Sequence, residues 1–130
     1  MRKESEEMHV RIQFICYPKC TTCQKAKKWL NDNEITYDER HIKEENPSAV
    51  ELAEWWGKSN LPLKKFFNTS GLLYKSMQLK DKLATMSDAE MISILATDGM
   101  LVKRPILIAG SHVLVGFKEN DWEQVKGNGI

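Results

Sequence analysis

The chain has 130 residues, 42% of them hydrophobic, which is enough to bury the core of one domain and excludes wholesale disorder. Its 19 basic and 18 acidic side chains leave a formal net charge of +1, so charge gives no reason to expect direct binding to nucleic acid or to a membrane surface. The chain contains no run of about 18 apolar residues, so we expect no transmembrane span.

The N-terminal segment MRKESEEM carries charge without an apolar stretch, so we expect residues 1–8 to form a loose tail rather than a secretory signal. We therefore expect a cytoplasmic protein with a single domain at residues 9–130. The three cysteines of such a protein argue against a disulfide scaffold, which needs cysteine pairs and an oxidising compartment. Redox chemistry, a metal site and plain core packing remain as roles for them.

The first third of the chain predicts a β-α-β unit. Residues 9–16 alternate apolar and polar side chains and predict a strand that ends at Tyr17-Pro18. Residues 20–33 have the apolar spacing of a helix, and residues 36–42 alternate again. A helical crossover of this length usually joins parallel strands, so we expect the two strands to pair in parallel.

The middle of the chain, about residues 48–97, predicts a helical insertion. Ser48 follows a turn and is expected to cap a helix, and Ser87 with Glu90 forms a capping-box pattern for a second one. The expected segments are helices at 49–58 and 88 to about 97, a short helical piece at 62–67, a loop at 68–71 and one or two helical turns at 72–83.

Two pairs of adjacent aromatic residues lie in this insertion, Trp55-Trp56 and Phe66-Phe67. Neighbouring side chains on a regular element point in different directions. We therefore expect one member of each pair to be exposed, which leaves room for a protein-binding face there.

The last third returns to strands. Residues 106–109 and 112–115 flank a turn at Gly110-Ser111 and predict an antiparallel hairpin, and residues 119–126 predict a final helix. The predicted order is β-α-β, helical insertion, β-β-α. This order is that of an α/β, thioredoxin-like fold with a mixed four-stranded sheet.

A Cys-x-x-Cys motif, Cys20-Thr-Thr-Cys23, stands where the first strand passes into the first helix. Free backbone N–H groups and the helix dipole stabilise a thiolate at that position. We therefore expect Cys20 to be the nucleophile. Cys23, one turn further on the same face, is expected to be the resolving thiol that attacks a mixed disulfide at Cys20. Lys19 and Thr21 flank the nucleophile and are candidate substrate- or anion-binding residues.

Two other interpretations of the cysteines remain open: small buried core residues, or zinc ligands. A zinc site needs four ligands, and the one further cysteine nearby is Cys16. Cys16 closes a strand of core character, so we expect it to be a buried, inert thiol. The histidines show no ligand spacing: His9, His41 and His112. Redox chemistry without a metal is therefore the leading prediction.

Arg104-Pro105 opens the third strand, at a position where the missing proline N–H is tolerated. Thioredoxin-type folds place a cis proline here, facing the active cysteine and leaving a backbone edge free for substrate. We therefore expect the peptide bond before Pro105 to be cis. Arg104 is then expected to project toward Cys20 and to hold an anion or a cysteine oxoacid. The alternative is a solvated arginine.

Four motifs occur in order along the chain: YPKCTTCQKAKKWL at 17–30, YDERHI at 37–42, LVKRPILI at 101–108 and VGF at 115–117. In these motifs the chain resembles the arsenate reductase (ArsC)/Spx family over residues 9–126. The resemblance implies a thioredoxin-like core with a helical insertion. It does not fix the activity.

Glutaredoxin-linked arsenate reductases resemble this chain at the nucleophile Cys20 and at Arg104. They bind the oxyanion with two further arginines, one in the insertion and one after the final strand. Here those places hold the loop at 67–71 and Phe117-Lys118, without an arginine. Lys118 is a partial substitute because lysine lacks the planar fork of arginine.

Spx resembles this chain at Cys23, since its Cys-x-x-Cys pair is a redox switch on a protein that binds the RNA polymerase α subunit. The Spx-type arginine in the insertion is absent here, so the chain is expected to form a branch related to both groups.

The leading hypothesis is a thiol-disulfide oxidoreductase that cycles Cys20 and Cys23 between dithiol and disulfide. It needs no bound cofactor and takes electrons from glutathione or from a glutaredoxin or thioredoxin, and its partner is a thiol or disulfide substrate or a redox protein. The alternatives are an Spx-like regulator that binds the RNA polymerase α subunit and a glutaredoxin-linked arsenate reductase.

Overall fold

A mixed four-stranded sheet organises the residues that the computed structural model describes, 11–126. Its strands are β1 (Ile12–Cys16), β2 (Asp38–His41), β3 (Ile106–Ala109) and β4 (His112–Val115). The strand order is β2-β1-β3-β4, with β1 parallel to β2 and antiparallel to β3, and with β3 antiparallel to β4. The expected tail and the first two residues of the expected first strand lie outside the described residues. The predicted four-stranded mixed α/β sheet is confirmed.

The helices lie where the apolar spacing predicts them, with ends that differ by a few residues. The expected capping box of Ser87 with Glu90 forms, and the expected cap at Ser48 forms as a capping box with Glu51. The helices are α1 (Thr21–Asp32), α2 (Ala49–Ser59), α3 (Leu72–Ser76), α4 (Leu79–Lys82), α5 (Asp88–Leu95) and α6 (Glu119–Lys126). Short 3₁₀ turns lie at Leu63–Phe66, Leu83–Thr85 and Gly99–Leu101.

The two faces of the sheet carry separate apolar clusters, because helices cover both faces. On one face α1 and α6 pack against the sheet, and this cluster contains Phe14, Cys23 and the fully buried Trp122. On the other face the insertion packs against the sheet around Ile15 and Leu52. Burial on both faces explains why β3 is apolar at every position.

The aromatic pairs of the insertion differ from expectation. Phe66 and Phe67 are both buried, at 0% and 1% exposure, so the expected exposed member is absent from this pair. The reason is local: a 3₁₀ turn ends at Phe66, and the chain then becomes extended at Phe67, which bridges to Val102. In the other pair Trp55 is buried, while Trp56 is half-buried and its Nε1–H donates to a backbone carbonyl.

An arginine on β2 ties this edge strand to the start of α2. Arg40 donates two hydrogen bonds to the Glu51 carboxylate, at 2.7 and 2.8 Å. Glu51 also accepts the backbone N–H of Ser48 in the capping box. These hydrogen bonds lower the pKa of the Glu51 carboxyl group to about 2, and the bond from Arg40 has the largest effect. Burial of the carboxyl group opposes this shift.

We expect Glu51→Gln to lower the free energy of unfolding by about 1 kcal/mol at neutral pH, because the ion pair is partly exposed and therefore screened by water. A lowered pKa in the folded state gives stability that is present above the ordinary pKa of a glutamic acid and is lost as the pH falls toward about 2. The variant should therefore lose less stability than the wild type when acidified over that interval. Urea unfolding at several pH values measures both effects.

Glu54→Gln is the matched control, because Glu54 lies on the same helix and pairs with Lys58 at 3.3 Å while both side chains are exposed. We expect this control to keep the wild-type pH dependence. An equal response of the two variants to acid would contradict the role assigned to Glu51.

Candidate active site

Cys20 lies at an open cavity of about 570 Å³. The cavity is bounded by the first turn of α1, the loop that precedes α3 and the segment that leads into β3. The residues that line it are Cys20, Thr22, Lys43, Asn68, Ser70, Gly71, Leu72, Leu73, Asp98, Met100, Lys103 and Arg104.

Cys20 is the N-cap of α1, with an extended backbone conformation at φ −84° and ψ 124°. A tight turn holds it there, because its N–H donates to the Tyr17 carbonyl at 2.9 Å. The cap makes no side-chain hydrogen bond, so the first backbone N–H groups of the helix are available to a negative charge. Its half-buried side chain therefore meets the electrostatic requirement for a reactive thiolate.

Cys23 lies one turn further along α1 and is buried, at 2% exposure. The backbone N–H of Tyr17 donates to its Sγ at 3.3 Å. The pKa of Cys23 is raised above its ordinary value, first by the side-chain interaction with Cys16 and then by burial, against the opposing contacts with Tyr17 and Cys20. An accessible Cys20 with a buried, protonated thiol behind it is the asymmetry that a nucleophile and a resolving thiol require.

Cys16 is buried at the end of β1, at 3% exposure, as expected for a core thiol. Its surroundings are not wholly apolar, however. The thiol donates to Oε2 of Glu39 at 3.5 Å, a contact that the sequence analysis did not anticipate.

The Arg104–Pro105 peptide bond is cis, which confirms the prediction for it. Pro105, which was predicted to face the active cysteine, is buried and is not among the described residues that line the cavity. The Arg104 side chain is half-buried and lines the same cavity as Cys20. Its guanidinium lies 5.3 Å from the centroid of the Tyr17 ring, and Nη1 donates to the Met100 carbonyl at 3.4 Å. Arg104 is thus held at the cavity rather than freely solvated.

Two predicted binding residues, Lys19 and Thr21, are exposed and lie outside the cavity lining. The helix begins at Thr21, and successive side chains turn by about 100° around a helix axis. Thr22 therefore faces the cavity in the place expected for Thr21. Lys118, the suggested substitute for a missing arginine, lines a different groove with Lys64 and Lys65.

Two cations of the cavity, Lys43 and Lys103, were missed by the sequence analysis. Lys103 carries a weak signal, since it directly precedes Arg104 in the chain. The sequence around Lys43 gives no such signal. Lys43 reaches the cavity because β1 and β2 pair in parallel, which brings the carboxyl ends of both strands to one edge of the sheet. Together with Arg104 they give the lining three cations against one carboxylate, that of Asp98.

The two sides of the cavity are linked by backbone contacts. The backbone N–H of Asn68 donates to the Leu101 carbonyl at 2.8 Å and so joins the loop before α3 to the segment that leads into β3. Within that second segment, the Asp98 side chain accepts the N–H of Met100 at 2.8 Å. Between Asp98 and Met100, Gly99 packs so closely on Ile42, the residue that follows β2, that a Cβ at position 99 would lie 1.8 Å from the Ile42 carbonyl oxygen. A side chain at position 99 therefore requires the backbone to move.

Within residues 11–126, no group of three or more His, Cys, Asp or Glu side chains is arranged to hold a metal ion. None of the helices in that range is long and apolar enough to cross a membrane.

Iodoacetamide should alkylate Cys20 in the folded protein about tenfold or more faster than Cys16 and Cys23, because the reagent needs an accessible thiolate. Peptide mass spectrometry after short reaction times measures the three sites separately. Unfolding in urea before the reaction is the control and should bring the three rates together. Labelling of folded Cys23 at the rate of Cys20 would contradict the roles that the burial supports.

Comparison with known proteins places the chain among relatives of similar length. The Bacillus subtilis protein YusI is 51% identical over 113 residues, which cover 87% of this chain and 96% of YusI. The global transcriptional regulator Spx of Staphylococcus aureus is 27% identical over 110 residues, which cover 85% of this chain and 82% of Spx.

A solved structure shows the same fold. The crystal structure of an ArsC-family-related protein from Bacteroides fragilis matches with a TM-score of 0.87 at 52% sequence identity, covering 88% of this chain and 97% of that chain. The predicted thioredoxin-like fold is thereby confirmed. A family model described as the ArsC family matches residues 16–125. The sequence and the fold agree: this chain belongs to the ArsC family.

Proposed function

We propose that the protein is a thiol-disulfide oxidoreductase that cycles Cys20 and Cys23 between dithiol and disulfide. The observation that carries this proposal is the pairing of an accessible Cys20, at the start of a helix and at a cationic cavity, with a buried Cys23 one turn behind it. Glutathione, or a glutaredoxin or thioredoxin, supplies the electrons. No bound cofactor takes part.

The reaction has two exchange steps. The Cys20 thiolate attacks a disulfide of the substrate, which forms a mixed disulfide at Cys20 and releases one substrate thiolate. Cys23 then attacks the Cys20 sulfur, which forms the Cys20–Cys23 disulfide and releases the second substrate thiol. Two electrons have passed to the substrate, and two thiols of the donor later restore the dithiol.

The cavity favours substrates that carry negative charge near the disulfide. Arg104 is held at its place by Tyr17 and Met100 and can donate to a carboxylate. Lys43 and Lys103 add positive charge to the same lining. Glutathione, which has two carboxylates, is therefore a suitable donor or mixed-disulfide partner.

Arsenate reduction is supported less well by the same lining. Among the described residues that line the cavity, Arg104 is the one arginine, and the lining also includes the carboxylate of Asp98. Lysines give point charges without the bidentate fork that suits a tetrahedral oxyanion.

The test is NADPH-coupled reduction of a glutathione mixed disulfide, with glutathione and glutathione reductase in excess. We expect turnover by the wild type, and Cys20→Ser should fall to the rate without protein. Arg104→Ala should lower kcat/KM about tenfold or more, since it removes a hydrogen-bond donor to a charged group. Lys118→Ala is the charge-matched control outside the cavity and should keep the wild-type rate. Turnover that survives in Cys20→Ser would refute the proposal.

A regulator is the second candidate, and the similarity to Spx over 82% of that protein favours it. The resemblance to Spx implies binding to the RNA polymerase α subunit, with the Cys20–Cys23 disulfide altering the docking surface.

The isolated C-terminal domain of the α subunit, immobilised on a sensor surface, tests this second candidate with reduced and with oxidised protein. A regulator should bind with an affinity that changes at least about tenfold between the two states, and Cys23→Ser should abolish the change. The same variant without oxidant is the control for folding. Absence of binding in both states would exclude this candidate.

A further inference from the structure

The outer strand β4 has backbone groups that no other strand pairs. Among the described residues, β4 is the last strand on its side of the sheet. The N–H of Gly116 donates to the Pro105 carbonyl at 2.8 Å, and hydrogen-bonded and non-hydrogen-bonded residues alternate along an antiparallel ladder. Leu114 therefore directs its backbone groups toward β3, whereas Val113 and Val115 direct theirs away from the sheet.

A groove of about 370 Å³ lies along this open edge. One side of it comes from the insertion, through Leu61 and Phe67, and the other side comes from α6, through Asp121 and Trp122. The insertion covers one face of the sheet and α6 covers the other. A groove that both of them line, together with residues 113–116, therefore lies between the two layers at the edge of the sheet.

The outward backbone groups of β4 are available to a ligand. No hydrogen bond from another described residue reaches those of Val113 and Val115. Val113 is buried, at 4% exposure, although the groove reaches it. Unpaired peptide groups in such a place favour a ligand that has N–H and C=O groups of its own. A peptide strand laid beside β4 presents them at the required spacing.

The groove also carries an excess of positive charge. Four lysines line it against the single carboxylate of Asp121, and all four are exposed: Lys64, Lys65, Lys103 and Lys118. None of these lysines is ion-paired within the part of the chain that the structure describes. The strand β4 itself is mainly apolar. An extended segment that alternates apolar and acidic side chains is complementary to this combination of strand edge and charge.

A second copy of this chain is a poor occupant of the groove. Pairing of two β4 edges about a twofold axis would bring the same lysines together, and like charges oppose association. Lysines beside an edge strand commonly prevent such pairing. The charge that repels a copy of the chain attracts an acidic partner.

We propose that the groove along β4 docks an extended, acidic segment of a partner protein, which adds a fifth strand to the sheet. The peptide groups of the partner pair with those of Val113 and Val115, and its carboxylates lie against the lysines of the groove. Among the described residues, Lys103 is the one that lines both this groove and the cavity at Cys20. Docking at β4 therefore does not depend on the thiol chemistry.

A fluorescein-labelled peptide of about ten residues, in which valine and glutamate alternate, tests the charge. Its fluorescence anisotropy reports binding, which should weaken as salt is added because dissolved ions screen the lysines. Lys64→Glu combined with Lys65→Glu should weaken the binding at least about tenfold. Lys80→Glu combined with Lys82→Glu is the matched control: it makes the same change in net charge on α4, outside the groove lining, and should bind nearly as well as the wild type.

Amide hydrogen exchange, followed residue by residue by NMR, tests the added strand. Saturation with the peptide should slow the exchange of the Val113 and Val115 amides at least about tenfold, because each of them gains a hydrogen bond. The Leu114 amide already points toward β3 and is the internal control, with a smaller change. A peptide held by charge alone would leave the exchange of all three amides unchanged.

Tight binding of the glutamate peptide with protection of both valine amides would support the proposal. Equal binding of a peptide that alternates valine and lysine would overturn it, and so would binding of the glutamate peptide without protection of Val113 and Val115. Protection of these two amides by self-association of the protein, in the absence of peptide, would assign the edge to a second copy and would also overturn it. None of these outcomes bears on turnover of the glutathione mixed disulfide.

Discussion

The parallel pairing of β1 with β2 is the constraint on which the rest of the site depends. Parallel neighbours need a crossover, and here the crossover is α1, which must begin at the carboxyl end of β1. The connecting turn is so short that Cys20 itself becomes the helix cap. The same pairing brings the end of β2, with Lys43, to the same edge of the sheet. One topological choice thus places the thiol, the helix N-terminus and a cation together.

Local chemistry explains which parts of the site were predictable from sequence. Cys20 and Arg104 each stand beside a break in periodicity, where a strand passes into a helix or a proline opens a strand, and such breaks are visible without a structure. Lys43 and Glu39 lie in unremarkable polar segments and gain their meaning only through strand register. The expectation that one member of the Phe66-Phe67 pair is exposed was wrong for a related reason, since the direction of the Phe67 side chain depends on a change from 3₁₀ to extended backbone.

The three cysteines occupy three different environments within one turn of helix and one strand end. Cys20 lines the cavity, Cys23 is buried on α1, and Cys16 is buried at the end of β1 beside a carboxylate. Burial alone would make the last two inert. The polar contact with Glu39 distinguishes Cys16 from an ordinary core residue.

The close packing of Gly99 on Ile42 has a consequence for how specificity can change in this fold. The segment that carries Asp98 and Met100 cannot accept a side chain at position 99 unless its backbone shifts. The backbone conformation on this side of the cavity is therefore tightly restricted. The opposite wall, residues 68–72, is largely exposed loop and helix start, where Ser70 and Leu72 have room to vary. A directed library that seeks a new substrate range should therefore diversify Ser70 and Leu72 and keep residues 98–100 constant.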